Sequence, residues 1–133
     1  MTPPTPRQTK DARVAATRDA SVAATRGAAA EAAAATLLEK RGLRVIERNF
    51  RVKGGEIDLV CRDGDTTVFV EVRLRTRSNF GGAAASITAT KQGRLILAAR
   101  HWLARHGETP CRFDAVVSDG QTFEWIRDAF QAG

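Results

Sequence analysis

The sequence predicts a mixed α/β domain with the element order αβββαββ. Two observations support this prediction. Three short runs of alternating apolar and polar residues follow a helical segment, and a long helical segment then separates the third run from the fourth. A connection of that length is typical of a crossover that joins two parallel strands, which is right-handed by rule.

The first 26 residues are predicted to form a disordered, basic, low-complexity tail. They are rich in Pro, Thr, Ala and Arg, and they contain a duplicated octet, RVAATRDA followed by SVAATRGA. A folded domain is predicted over residues 27–133. Its first helix runs through AAAEAAAATLLEKRG, with Ala30 and Leu38 on its apolar face and Gly42 just past its end.

The remaining elements are predicted from their periodicity. A DGDT turn indicates that the second and third strands form a hairpin. The second helix is predicted from Thr88 to His106, because apolar residues recur there at helical spacing and Gly107 follows. The predicted strands are residues 43–52, 56–62, 67–74, 112–119 and 122–126.

Charge, cysteine spacing and the length of apolar runs indicate which partners and which compartment to expect. A net charge of +6 over 133 residues is typical of a protein that binds polyanions, nucleic acid first. The two cysteines have no CxxC spacing, which argues against a zinc site or a disulfide framework and favours reduced, buried thiols. No apolar run reaches the roughly 20 residues of a membrane span. We therefore expect a cytoplasmic protein that makes no contact with a membrane.

The hairpin carries three acids within the stretch GGEIDLVCRDGDTTVFVEVRLRTR. If Arg62 pairs with Thr67, Asp58 faces Glu71, whereas a shorter turn places Glu56 opposite Glu71. Both registers gather the acids on one face, because side chains alternate along a strand. Strict alternation places Glu56, Asp58 and Val60 on one face of the second strand, and Ile57, Leu59 and Cys61 on the other.

Clustered carboxylates need an offsetting charge. Two of them about 4 Å apart repel by roughly 4 kcal/mol at an effective dielectric constant of about 20. A divalent cation, a shared proton or Arg73 would offset this repulsion. Mg²⁺ accepts one or two carboxylates together with waters and phosphate oxygens, so the pattern fits metal-assisted phosphodiester hydrolysis. A solvated lattice of ion pairs on a sheet with one exposed face fits the same alternation.

Four motifs in a fixed order carry a resemblance to a known family. GGEIDLV, VFVEVR, GGAAASITATKQGRLILAARHWLARH and CRFDAVV resemble the YraN-like family of predicted bacterial endonucleases over residues 27–133. That family is similar to the PD-(D/E)xK nucleases, in the branch that resembles Holliday-junction resolvases. The resemblance implies a restriction-endonuclease-like αβββαβ core, a mixed sheet flanked by helices.

The implied activity is that of an endodeoxyribonuclease that depends on Mg²⁺ or Mn²⁺. Branched DNA is one candidate substrate, and a homodimer is one candidate assembly, since resolvase-like enzymes work as symmetric dimers. A nucleic-acid-binding module that keeps the nuclease scaffold without turnover is the alternative.

The resemblance also implies a set of site residues. The metal-binding aspartate of the superfamily falls on Asp58, and the acid and the lysine of its E-x-K element fall on Glu71 and Arg73. Asp58 and Glu71 would hold the metal, and a helical glutamate falls on Glu31. Arg73 departs from the pattern, because an arginine side chain cannot act as the base that deprotonates a water. It would instead stabilise the transition state as a fixed charge. Lys91 would face the site and bind nucleic acid.

Further charged residues surround this set. Arg75 and Arg77 follow Arg73 at alternate positions, and this spacing predicts contacts with a phosphate backbone. Glu56 is either a further metal ligand or the ion-pair partner of Arg73.

Overall fold

The computed structural model describes residues 18–74 and 87–132. Five strands form one sheet in the order β1-β2-β3-β4-β5. Strands β3 and β4 are parallel, and the other neighbouring pairs are antiparallel. The fold is therefore α/β with a mixed sheet flanked by two helices, consistent with a restriction-endonuclease-like core. The elements are α1 (Arg18–Lys40), β1 (Arg44–Val52), β2 (Gly55–Asp63), β3 (Thr66–Leu74), α2 (Ala89–His106), β4 (Cys111–Ser118) and β5 (Phe123–Phe130).

Each face of the sheet is covered by one helix. Leu95, Ala98 and Trp102 of α2 pack over one face, where Phe69 lies at the centre of an aromatic cluster. The opposite face packs against α1, so the alternative interpretation of a sheet with one exposed face is wrong. On that side the buried residues are Ala34, Ala35, Leu38, Leu43, Leu59, Cys61, Val68, Val70 and Val116.

Helix α1 begins upstream of its predicted start. It starts at Arg18 rather than Ala28, so residues 18–26 are helical. The upstream sequence RDASVAATR contains no glycine or proline and is rich in alanine, the residue with the strongest helix propensity, so the helix continues through it.

Strand β5 extends beyond its predicted end at residue 126, because the buried carboxylate of Asp114 supports it. Oδ1 accepts a hydrogen bond of 2.9 Å from the N–H of Asp128, and Oδ2 accepts one of 2.9 Å from Nε1 of Trp125. The guanidinium of Arg112 donates to the same carboxylate. Asp128 has a φ of 52°, and the register with β4 shifts beside Asp114. This bulge interrupts the alternation from which a strand is predicted.

The alternation of β2 also changes, at Asp58. Ile57 packs in the cluster under α2, whereas Leu59 packs under α1. The prediction that these two side chains share a face is therefore wrong. The ladder between β2 and β3 ends at the pair Leu59 and Val70, and Asn49 of β1, which lies level with Asp58, has a φ of 54°. The strand bends away from β3 at this point.

Two glycines let α2 lie directly on the start of β2. Gly54 has a φ of 86°, which only glycine adopts without strain, and it forms the turn that leads out of β1. A Cβ on Gly55 would lie 2.5 Å from the carbonyl oxygen of Arg94 in α2. Because no side chain separates the two backbones, the first turns of α2 lie beside the acids of the hairpin.

The two cysteines differ in exposure. Cys61 is buried in the sheet and Cys111 is exposed at the start of β4, so the expectation of buried thiols is right for the first and wrong for the second. Burial raises the pKa of the Cys61 thiol to about 12. No helix within residues 18–74 and 87–132 is both long and apolar enough to cross a membrane.

Candidate active site

A pocket of about 250 Å³ opens where β2 and β3 separate. The hairpin contributes carboxylates to it, α1 approaches from one face of the sheet and α2 from the other. Every predicted site residue that the structure describes lines this pocket, and Arg75 and Arg77 lie outside the described residues. The six are Glu31, Glu56, Asp58, Glu71, Arg73 and Lys91.

Asp58 lies in the gap between the two strands. Its Oδ2 accepts a hydrogen bond of 2.8 Å from the N–H of Val72, and its carboxyl group is also hydrogen-bonded to that of Glu71. Burial and the negative charge of Glu71 raise the pKa of Asp58 to about 7, although the Val72 bond acts to lower it. Of the predicted registers, the one that places Asp58 level with Glu71 is confirmed, since Arg62 pairs with Thr67.

Glu71 is surrounded by cations. The residue is only 5% exposed, and its Oε2 lies 3.3 Å from Nζ of Lys91 and 3.9 Å from Nη1 of Arg73. Lys91 reaches it from the first turn of α2, where the Oγ1 of Thr88 accepts the Lys91 N–H and caps the helix. The side chain predicted only to face the site is thus in direct contact with its central carboxylate.

Arg73 keeps part of its guanidinium free. Its Nε is buried and has no hydrogen-bond partner in the described part of the chain. A buried donor without a partner costs about 1–3 kcal/mol. The side chain as a whole is 23% exposed, and it is this exposed part that an incoming oxygen atom can reach. A phosphate oxygen is the natural acceptor for the fork of an arginine.

Glu31 reaches the pocket from α1. Partial burial and the negative charge of Asp58 raise the pKa of Glu31, whereas a hydrogen bond to Asn49 and the charge of Arg51 lower it. Asn49 lies opposite Asp58 with a φ of 54°, so the residue that interacts with Glu31 is also the one at the bend in β1.

Glu56 has a different partner from the one predicted. Its Oε1 lies 3.8 Å from Nη2 of Arg94, whereas Arg73 approaches Glu71, so the interpretation of Glu56 as the partner of Arg73 is wrong. The side chains of Glu56 and Arg94 are 42% and 51% exposed, and such exposed pairs contribute little to stability.

Sequence reasoning missed three polar residues at the mouth of the pocket. Arg94 lies three residues after Lys91, a spacing that places both on one helix face and could have revealed it. Arg51 lies opposite Glu56 in the β1–β2 ladder, which the tight turn at Gly54 could have indicated. The third is Asn49, which interacts with Glu31 from the bend in β1. The alternation of the sequence does not indicate this bend.

Residues 30–117 match the model of a family described as uncharacterised protein family UPF0102. The chain belongs to the UPF0102 family. A UPF0102 protein of Dechloromonas aromatica is 62% identical over 99 residues, covering 74% of this chain and 82% of the relative. A UPF0102 protein of Nitrosomonas europaea is 57% identical over 101 residues, covering 73% and 86%.

The family match confirms the resemblance drawn from the sequence motifs. The UPF0102 protein YraN of Escherichia fergusonii is 54% identical over 97 residues, covering 70% of this chain and 74% of the relative. The matched range runs from α1 to β4 and contains every residue of the pocket named above.

The carboxyl groups of this UPF0102 chain fit a hard divalent cation. Asp58 and Glu71 interact directly in the pocket, and a cation between them would offset the repulsion that, together with burial, raises the pKa of Asp58. Among the residues that the structure describes, no group of three or more His, Cys, Asp and Glu side chains is arranged to hold a metal ion. Asp58 and Glu71 would be ligands from the protein, with waters and a phosphate oxygen completing the shell.

Proposed function

We propose that this UPF0102 protein is a metal-dependent DNA endonuclease that hydrolyses phosphodiester bonds in the pocket between β2 and β3. The observation that supports this most is the composition of the pocket. The carboxyl groups of Asp58 and Glu71 interact directly, and two cationic side chains, Lys91 and Arg73, lie within 4 Å of Oε2 of Glu71. Carboxylates that hold a cation, next to cations that hold a phosphate, are what phosphodiester hydrolysis requires.

Asp58 and Glu71 would hold Mg²⁺ or Mn²⁺. A cation bound there supplies positive charge to a phosphate oxygen and lowers the pKa of a water. Glu31, which reaches the pocket from α1, would orient that water.

Arg73 and Lys91 would contact the phosphate in different ways. Arg73, whose side chain is 23% exposed beside Glu71, offers a planar guanidinium fork, which suits two oxygens of one phosphate group. Lys91 offers a compact ammonium group, a point charge rather than a fork. Its contact with Glu71 means that an amine lies at this carboxylate even though the E-x-K element carries arginine.

The charge around the mouth of the pocket favours a nucleic acid substrate. Arg51 and Arg94 are exposed beside it, and the whole chain carries a net charge of +6. Such side chains hold a phosphate backbone without reading its sequence. Arg75 and Arg77, which directly follow β3, would extend this contact. The resemblance to resolvase-like nucleases makes branched DNA the first substrate to test and a homodimer the first assembly.

A cleavage assay with a matched pair of variants tests the proposal. Purified protein is incubated with four-way-junction, linear duplex and single-stranded DNA, with and without Mn²⁺. We expect cleavage that requires the metal, is lost in Asp58→Asn and is kept in Asp65→Asn. Asp65 lies exposed in the turn of the same hairpin, so it controls for the substitution itself.

Two other results would contradict the proposal, and each would favour a different function. DNA binding that is sensitive to salt, independent of metal and unchanged in Asp58→Asn, with no cleavage, would favour the non-catalytic binding module. Failure to bind any nucleic acid at low salt would favour an adaptor whose acidic pocket docks a basic partner protein.

A further inference from the structure

We infer that an apolar groove beside the pocket binds one unpaired nucleobase of the strand whose phosphate lies at Asp58 and Glu71. This inference rests on the proposed function and adds a feature of the substrate to it. The expected substrate is therefore a strand in which an unpaired base lies next to the phosphate that is cleaved.

The groove is apolar and open. It has a volume of about 470 Å³ and lies between α1, the end of β3 and the start of β5. Leu74 and Phe123 line it, and they are 46% and 37% exposed. Large exposed apolar side chains are few in the described residues, namely Ile46, Leu74, Leu97 and Phe123, and two of these four meet here.

The groove and the pocket are continuous. Ala30 of α1 and Leu74 of β3 line both of them, and Leu74 directly follows Arg73, which lines the pocket. A ligand that fills both must join a negatively charged group to a flat apolar one through a short link. A nucleotide unit of a strand has this chemistry, since its phosphate suits Lys91 and Arg73, and its base suits Phe123.

The base must be unpaired to use the groove. Both faces of a base inside a duplex are covered by its neighbours, whereas a base in a single strand or at a branch point has a free face. The helix α1 presents small side chains, Ala29 and Ala33, to the groove, and these leave room for a flat ring against Phe123. Stacking of one base on an aromatic ring changes affinity about five- to 150-fold.

Two oligomers of about 12 nucleotides test the inference, one an oligothymidylate and the other a strand of equal length with no bases. Their phosphates are equal in number, so the electrostatic part of binding is matched. Fluorescence anisotropy in EDTA, where no metal is present, measures both affinities. We expect the wild-type protein to prefer the oligothymidylate about tenfold. Phe123→Ala should reduce this preference to about twofold and leave the affinity for the abasic strand unchanged.

Leu97→Ala provides the matched control, because Leu97 is 38% exposed and does not line the groove. It should keep the full preference. The inference is overturned if the wild-type protein binds both oligomers equally, or if Phe123→Ala keeps the preference. A change from dimer to monomer in Phe123→Ala during sedimentation, with the preference retained, also overturns it and makes the groove an interface between copies.

The same measurements separate this inference from the proposed function. Equal affinity for the two oligomers, together with cleavage that depends on Asp58, removes the base site alone. Absence of binding to either oligomer, together with cleavage of junction or duplex DNA that depends on Asp58, also removes the base site alone, whereas absence of that cleavage removes the proposed function. A variant that fails to fold loses both affinities, so it cannot imitate the expected loss of preference.

Discussion

The carboxylate of Asp58 accepts a hydrogen bond of 2.8 Å from the main-chain N–H of Val72, across the gap between β2 and β3. A side chain thus satisfies a strand donor at the point where the neighbouring ladder ends. Asp58 both closes the sheet and faces the pocket. Replacement by alanine would leave the N–H of Val72 without a partner, at a cost of about 1–3 kcal/mol. Asparagine keeps an acceptor there and is therefore the variant that isolates the charge.

Divalent cations are expected to stabilise the protein through Asp58 and Glu71. At a cation concentration about 100 times Kd, the free energy of unfolding rises by about 2.7 kcal/mol, which corresponds to roughly 10 °C in Tm. Asp58→Asn should abolish the rise, and Asp65→Asn should keep it. Thermal melting with and without Mg²⁺ or Mn²⁺ measures this, and an equal rise in both variants would place the cation elsewhere.

Without metal, stability should fall as the pH rises. The carboxyl group of Asp58 has an ordinary pKa of 3.8 and one of about 7 in the folded protein, so between these values the folded state binds more protons than the unfolded state. Stability therefore decreases from about pH 4 to about pH 7, by at most roughly 4 kcal/mol from this group. Urea unfolding in EDTA at pH 5 and pH 8 should show a steeper decrease for the wild-type protein than for Asp58→Asn. Parallel profiles would contradict the raised pKa.

The sequence alone identifies the hairpin and places its acids on one face, because alternating strands flank a DG turn. It leaves two registers open, and the structure selects the one that pairs Arg62 with Thr67. The sequence does not reveal the bend at Asp58, since strict alternation is the default until a tertiary contact breaks it. The contact between Lys91 and Glu71 is similarly hidden. It depends on how closely α2 approaches β2, and that distance is set by the missing side chain of Gly55.

Gly55→Ala is expected to push α2 away from β2. The added Cβ would lie 2.5 Å from the carbonyl oxygen of Arg94, closer than any real contact allows, so the helix must shift. We expect a loss of about 1–3 kcal/mol in the free energy of unfolding. Gly93→Ala in α2 meets nothing within 4 Å and should instead stabilise the protein by about 0.5–1 kcal/mol. Urea denaturation of both variants checks the opposite signs, and equal effects would refute the close approach.

The thiol of Cys111 should react in the native protein, and the thiol of Cys61 only after unfolding. Cys111 is exposed, whereas burial raises the pKa of Cys61 to about 12 and keeps its reactive thiolate scarce. A chromogenic disulfide reagent at pH 8 should modify one thiol in the native protein and both in denaturant. Cys111→Ser should abolish the native reaction. Modification of Cys61 at the rate of Cys111 would mean that this part of the sheet opens readily.

Lys91→Ala should impair cleavage far more than Arg94→Ala. Nζ of Lys91 lies 3.3 Å from the buried Glu71, whereas Arg94, one helical turn away, pairs with the exposed Glu56. Loss of a preorganised charge at the reacting phosphate lowers kcat about 10²- to 10³-fold, and loss of a peripheral phosphate contact weakens binding without a comparable effect on kcat. Single-turnover cleavage at saturating protein separates the two effects. If Lys91→Ala changes only the affinity for DNA, the ammonium group holds the backbone and takes no part in the chemical step, and the division of roles between Lys91 and Arg73 proposed above is wrong.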